Sequence, residues 1–216
     1  MTNDIYNIDD GYNLCQVESE EREVRTSREE KAKTHNRIVD VASKRIREQG
    51  LDGPAVAEIM QAAGLTHGGF YKHFESRDDL IAEATQRAVA AADRHLHKLT
   101  DDAEDPLAAF VDWYLSAEHR DHPDAGCALP PLGDDVRRGD DRVRAAYSEQ
   151  VDRYVEHVER FLGDGDGSRG EHGARDRAIL VVSALVGALV LSRAVADDAF
   201  SDEILSAVHD GIGELP

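Results

Sequence analysis

Apolar positions in this chain recur every three to four residues and nowhere alternate in twos, a pattern that predicts helices throughout and no strand. Ile38, Val41, Ala42 and Ile46 form the stripe of a first helix running from Ser27 to about Gln49. Ser27 and Glu30 are spaced as a capping box at its start, and Gly50 suits its end. Val56, Ile59 and Met60 restart the period in a short second helix with Pro54 in its first turn, where a missing N–H costs nothing. Gly64 interrupts it, since glycine enters the left-handed region without a Cβ clash. Thr66 is an N-cap type for a third short helix, and Ser76 for a fourth that reaches about Leu99 through Leu80, Ile81, Ala84, Ala88 and Ala91.

The second half continues in the same way. Asp105-Pro106 reads as N-cap and first residue of a helix holding Phe110, Trp113, Tyr114 and Leu115. Asp121 to Pro131 is a broken connection with a short helix after it, and Asp140 or Asp141 opens a long helix to Leu162. The stretch from Gly163 to Gly173 has five glycines in eleven residues and reads as a flexible surface loop. Residues 174–196 are apolar nearly all round, and Ser201-Asp-Glu203 starts a last helix with Ile204, Leu205, Val208 and Ile212. Residues 1–26 are polar, acidic and without period, the composition of a disordered tail.

A helix, a glycine-containing turn and a second helix make up the helix-turn-helix, whose second helix lies in the DNA major groove. Ile59-Met-Gln-Ala-Ala-Gly-Leu-Thr66, Gly68, Phe70-Tyr71-x-His73-Phe74 and Arg77-x-x-Leu80 stand here in a register that resembles the DNA-binding domain of the TetR family of bacterial transcriptional regulators. The resemblance runs from about Glu29 to Thr85, and beyond it only the general helical layout is similar. It implies an all-α fold: a disordered acidic tail at 1–26, a three-helix DNA-binding domain at 27–75, and a helical ligand-binding and dimerisation domain at 76–216. It also implies that Thr66, His67, Gly68, Gly69, Tyr71, Lys72 and His73 contact bases and phosphates. Arg77 and Lys44 are further candidates for phosphate, while Phe70 and Phe74 read as core. Two positions depart from the family's pattern. Gly69 stands where a side chain often touches a base, and Ala55 where a Thr commonly meets phosphate. Base reading then shifts toward shape and backbone contacts.

Charge at first sight opposes this reading, because the net charge is −19. Its distribution does not. Residues 1–30 hold nine acids and three bases, residues 31–77 eight bases and five acids, and residues 78–216 fourteen bases and thirty acids. Only the helix-turn-helix segment is locally basic, so an acidic body would turn that face toward DNA and make affinity salt-dependent. Two cysteines, Cys15 and Cys127, cannot build a disulfide scaffold. The first residues lack the basic and apolar regions of a signal peptide, and the apolar run 178–191 is short for a bilayer, so the expectation is a cytoplasmic protein with no membrane partner.

The resemblance implies an effector pocket in the body. Trp113, Tyr114, Tyr147 and Tyr154 are candidate lining residues, although such residues are more often simple core. The helix 174–196 is expected to bury one side in the body and the other against a second subunit, and the resemblance implies a homodimer through the last two helices. His119-x-x-His122-x-Asp124-x-x-Cys127 does not have a zinc spacing, and no metal or cofactor is expected. Gly126-Cys-Ala-Leu129 resembles a segment of some family members, a few of which sense electrophiles by a thiol, although a Cys among apolar residues is ordinarily a small buried hydrophobe. The function that follows is a regulator, and specifically a repressor, released from a palindromic operator by an unknown small molecule. The alternative is a helical binding protein or enzyme with a vestigial helix-turn-helix.

Overall fold

The computed structural model describes the backbone of residues 10–163 and 173–215 and the side chains of residues 28–163 and 173–215. All regular structure among these residues is helical. The helices are α1 (Asp10–Gln49), α2 (Val56–Ala62), a 3-10 helix (His67–Lys72), α3 (Arg77–Thr100), α4 (Pro106–Tyr114), α5 (Ala117–Asp121), α6 (Leu129–Val136), α7 (Asp141–Leu162), α8 (Ala174–Ala194) and α9 (Asp198–Gly213). Two compact units divide the chain at 38/39, inside α1. The first contains the helix from Asp10 to Ile38, with Lys33 paired to Glu30 on its surface at 2.8 Å. The second, residues 39–216, contains everything discussed below.

Side-chain caps set several of the helix starts. Ser76 accepts from the Asp79 N–H at 3.1 Å, Asp105 from Ala108 at 3.0 Å, Asp140 from Arg142 at 2.6 Å and Asp197 from Phe200 at 2.7 Å. Each satisfies a first-turn N–H that has no partner within its own helix. Pro106 occupies the first turn of α4, as expected. Three expectations need correction. The helix carrying the first stripe begins at Asp10, so Ser27 lies inside it and is not its N-cap, and part of the segment expected to be a tail is helical. Pro54 precedes α2, whose N-cap is Ala55, and is not within its first turn. The last helix starts at Asp198, three residues before Ser201. The glycine-rich loop lies mostly outside the described residues.

Gly64 ends α2 with φ +72°. The Leu65 N–H donates to the Met60 carbonyl and the Gly64 N–H to Gln61, each at 2.9 Å. This paired closure satisfies two otherwise orphaned carbonyls and requires a left-handed residue at position 64. It sets the direction in which the chain enters the 3-10 helix. Below that helix, Phe70 and Phe74 are buried and stack at 5.5 Å, and Ala42, Ile46, Ile59, Met60, Leu80 and Ile81 are buried nearby in sequence and fold.

In the body, α7 packs on α3 and α8, and α8 also packs on α9. The core contains Leu96, Phe110, Tyr114, Leu129, Tyr154, Val158, Val181 and Leu185. Burying such side chains supplies about 1.5–3 kcal/mol each relative to exposure. Helix α8 is long and apolar enough, by length and composition, to cross a membrane, so the expectation that this run is too short is not upheld. Ala178, Val181, Val182, Leu185, Ala188 and Leu189 nevertheless pack into the core, and only one flank is exposed.

Candidate nucleic-acid interface and effector site

The segment expected to contact DNA is a 3-10 helix of six residues, tighter than the α-helix its period suggests. Its backbone closes locally, with Gly69 N–H to Thr66 at 3.0 Å and His73 N–H to Phe70 at 2.9 Å. Thr66 sits at the N-cap with extended backbone, but its hydroxyl makes no cap bond, and the residue is exposed. Thr66, His67, Gly68, Tyr71 and Lys72 are exposed, Gly69 and His73 half-buried. Tyr71 is 73% exposed, an unusual position for a tyrosine in a single chain, and its ring meets Phe70 edge-on at 5.2 Å. The structure therefore brings seven of the nine expected DNA contacts into one segment, with Phe70 and Phe74 beneath it.

The glycine pair acquires a meaning here. Neither Gly68 nor Gly69 has a positive φ. A Cβ on Gly68 would meet nothing within 4 Å, and one on Gly69 would touch the Met60 methyl at an ordinary 3.6 Å. The protein's own packing does not demand glycine at either position, so close approach of an external body is what glycine would serve there.

Lys44 is exposed on α1, while Arg77 is engaged internally. Its guanidinium donates to the Leu51 carbonyl at 2.5 Å and the Pro54 carbonyl at 3.4 Å, tying α3 to the chain entering α2. Two further contacts join this module to the body. Arg47, 6% exposed, donates to the Asp124 carbonyl, and the Leu51 N–H donates to Asp135 Oδ2 at 2.9 Å. On the surface, Arg142 pairs with Asp79 at 2.7 Å. These partners lie 63 or more residues apart in sequence, apart from those of Arg77, and sequence reasoning did not find them.

Asp124 and Cys127 belong to a turn organised by His119. The His119 ring, 4% exposed, is bonded on both nitrogens: Nε2 accepts from the Cys127 N–H at 2.9 Å, and Nδ1 donates to the Tyr114 carbonyl at 2.8 Å. It stacks on Trp113 at 4.4 Å. Burial pushes its pKa down to about 4, so it is neutral. Cys127 is fully buried, and burial pushes its thiol up, which disfavours the reactive thiolate that electrophile sensing needs.

The four expected pocket residues separate into two groups. Tyr114 and Tyr154 are buried with ring centroids 6.3 Å apart, each packed edge-on against Phe110. Trp113 stacks on His119, and the Tyr147 hydroxyl donates to the Leu129 carbonyl at 3.2 Å. Gln150, missed from sequence because a glutamine in a helix ordinarily faces water, is 1% exposed one turn before Tyr154. Elsewhere, Asp93, His97 and His157 bring potential ligand atoms within 4.8 Å of one another, but Arg153 already pairs with Asp93 at 3.1 Å and Arg160 hydrogen-bonds His157 Nδ1.

An exposed polar segment over a phenylalanine pair, entered through a glycine turn and set on a helical body, has the layout of a helix-turn-helix DNA-binding domain. The profile for bacterial regulatory proteins of the tetR family matches residues 38–84. An uncharacterized HTH-type transcriptional regulator of Mycobacterium tuberculosis is 30% identical over 173 residues, 73% of this chain and 82% of that protein. The HTH-type transcriptional repressor DhaR of a Mycobacterium species is 23% identical over 128 residues, covering 59% of this chain and 65% of that one. The crystal structure of a TetR transcriptional regulator from Chloroflexus aurantiacus shares the fold with TM-score 0.73 and 22% identity, over 86% of this chain and 97% of that one. The chain belongs to the TetR family of transcriptional regulators.

Proposed function

We infer that this regulator is a repressor that binds a palindromic operator as a homodimer and is released by a small molecule bound in the body, residues 76–216. The DNA-binding domain is assigned to residues 27–75. The observation that carries the reading is the exposed row Thr66, His67, Tyr71 and Lys72, raised on Phe70 and Phe74 in the only locally basic segment of an acidic chain. Dimerisation is supported by the outer flank of α8, where Ile179, Leu180, Val190 and Leu191 are each more than 40% exposed, and by Phe200 on α9, 50% exposed. Such a patch on one chain is the kind a second copy covers. The two-fold axis of a dimer matches a palindromic site. A protein of this function acts in the cytoplasm, with DNA and effector as partners. The enzyme alternative has no activated nucleophile or paired carboxylates in the buried cluster to favour it.

The test is a gel shift of the full chain against DNA upstream of its own gene, at two salt concentrations, beside the variant Tyr71→Ala/Lys72→Ala. The wild type is expected to shift a palindrome-containing fragment, and the variant to lose affinity while keeping its melting temperature. Equal affinity of the two would remove the 3-10 helix as the reader.

A further inference from the structure

We propose that Asp93 and His97 of α3 and His157 of α7 bind one divalent transition-metal ion of the zinc class, which joins α3, the helix that continues from the DNA-binding segment, to α7. The proposal goes beyond the regulator reading and does not need it. Asp93 and His97 are four residues apart and share a face of α3. Helix α7 packs on α3 and brings in the buried His157, whose ring meets that of His97 edge to face at 4.8 Å. One ligand atom from each of the three residues lies within 4.8 Å of the other two. Among the described residues no other three His, Cys, Asp or Glu donors come together in this way. Asp93 Oδ1 and His157 Nε2 stand 3.6 Å apart. Two donors held at zinc distances of about 2.0–2.2 Å on a tetrahedron stand about 3.4 Å apart. A direct hydrogen bond would close to about 2.7–3.2 Å, so the pair is spaced more nearly for an ion between its atoms.

The neighbouring cations use the other atoms of these ligands. Arg153 donates to Asp93 Oδ2 at 3.1 Å, and Arg160 donates to His157 Nδ1. A carboxylate held through one oxygen keeps the other for a metal, an outer-shell arrangement common around such ions. Arg153 is also paired with Glu149 at 2.6 Å, which offsets its charge. Arg160 is the group that must yield. As a donor to Nδ1 it fixes the proton of the neutral ring on Nε2, and ligation through Nε2 moves that proton to Nδ1. Arg160 is exposed, so its guanidinium can turn into solvent. His97 bonds through Nδ1 to the Asp93 carbonyl at 2.9 Å, and its side chain is 48% exposed. That ring has room to turn, and the ion has a way in past it. Two imidazoles and one carboxylate suit zinc, nickel or cobalt, whereas magnesium and calcium take oxygen ligands.

Isothermal titration of zinc chloride into untagged full-length protein, stripped with EDTA and dialysed, tests the site. One ion is expected to bind per protomer with a Kd of about 1 μM or tighter, and magnesium is expected not to bind. At a hundredfold excess over Kd, zinc should raise the melting temperature by about 5 °C or more. His97→Ala, His157→Gln and Asp93→Asn are each expected to weaken zinc at least about tenfold. Asp93 and His157 also hold α3 to α7, whereas His97→Ala changes an exposed ring and decides the matter should either of the others fail to fold. Arg160→Ala removes the competing donor and a like charge, and is expected to tighten zinc severalfold. Zinc held equally by the wild type and His97→Ala, or no saturable binding of one ion per protomer, overturns the site and leaves an ion-pair cluster between the two helices. Weaker zinc binding in Arg160→Ala likewise overturns it. Magnesium bound as well as zinc overturns the class of ion. Operator binding enters none of these readouts, so failure of the regulator reading and failure of this proposal are seen separately.

Discussion

Replacing His119 should remove a pH-dependent part of the protein's stability whose size can be worked out. The ring is neutral, its Nδ1–H donates to the Tyr114 carbonyl and its Nε2 accepts from Cys127. Protonation at Nε2 would set two donors against each other in a buried site. The folded pKa is about 4, against an unfolded value of about 6.5. Between these values the unfolded chain binds the proton and the folded chain does not, so stability rises with pH through the window. The contribution is complete above about pH 6.5 and is lost as pH falls toward 4. From pH 7.5 to 4.5 it amounts to about 2.5 kcal/mol. Urea unfolding of wild type and His119→Asn at pH 7.5, 6.5, 5.5 and 4.5 measures it. Staying above pH 4.5 keeps most carboxylates ionised, and the difference between the proteins cancels shared titrations. The variant is expected to be less stable at pH 7.5 by about 2–3 kcal/mol, for two lost bonds in the core. That gap should nearly close by pH 4.5. A gap constant across the series would refute the argument.

Other substitutions probe the DNA interface and the outer flank. Gly68→Ala should raise thermal stability slightly, by up to about 1 kcal/mol, since nothing in the protein contacts the new methyl, yet weaken operator binding; unchanged binding would remove the close-approach role. Arg77→Ala should cost about 1–3 kcal/mol in urea unfolding, because the Leu51 and Pro54 carbonyls lose their donor, while the salt slope of operator binding stays as in the wild type; a slope smaller by about 1 would instead make it a phosphate contact. Lys44→Ala is the complementary case, with stability unchanged and the slope reduced by about 1. Leu180→Asp/Leu191→Asp should shift the sedimentation coefficient from dimer toward monomer, and a wild type that sediments as a monomer at micromolar concentration would rule out this interface.

What the sequence revealed was governed by local physics. Ser76, Asp105 and Asp140 were recognisable as caps because a cap bond spans only two or three residues. Phe70 and Phe74 were separable from Tyr71 and Lys72 because helical spacing puts i and i+4 on one face. Ser27 misled because a capping-box pattern cannot reveal whether the preceding chain is already helical. The start at Asp198, capped by Asp197, was obscured by a second cap-like run at Ser201-Asp-Glu203. Arg77 looked free because its partners are main-chain carbonyls 23 and 26 residues away, which no side-chain pattern encodes. Gln150 and His119 were missed for the same reason: a polar residue enters a core only through distant structure that accommodates it.

Four of the contacts that hold the helix-turn-helix segment in place use the main chain on one side. Arg47 grips the carbonyl of Asp124, Arg77 those of Leu51 and Pro54, and Asp135 accepts from the N–H of Leu51. A carbonyl is present whatever residue occupies the position, and an N–H for any residue but proline, so these hydrogen bonds do not depend on the side chains at 51 and 124. The exposed side chains from Thr66 to Lys72 take no part in this mount, since that segment closes its backbone on itself. On the proposed reading, operator preference would be exchanged by rewriting those side chains, much as a key is recut without changing its bow, while the mount is inherited intact.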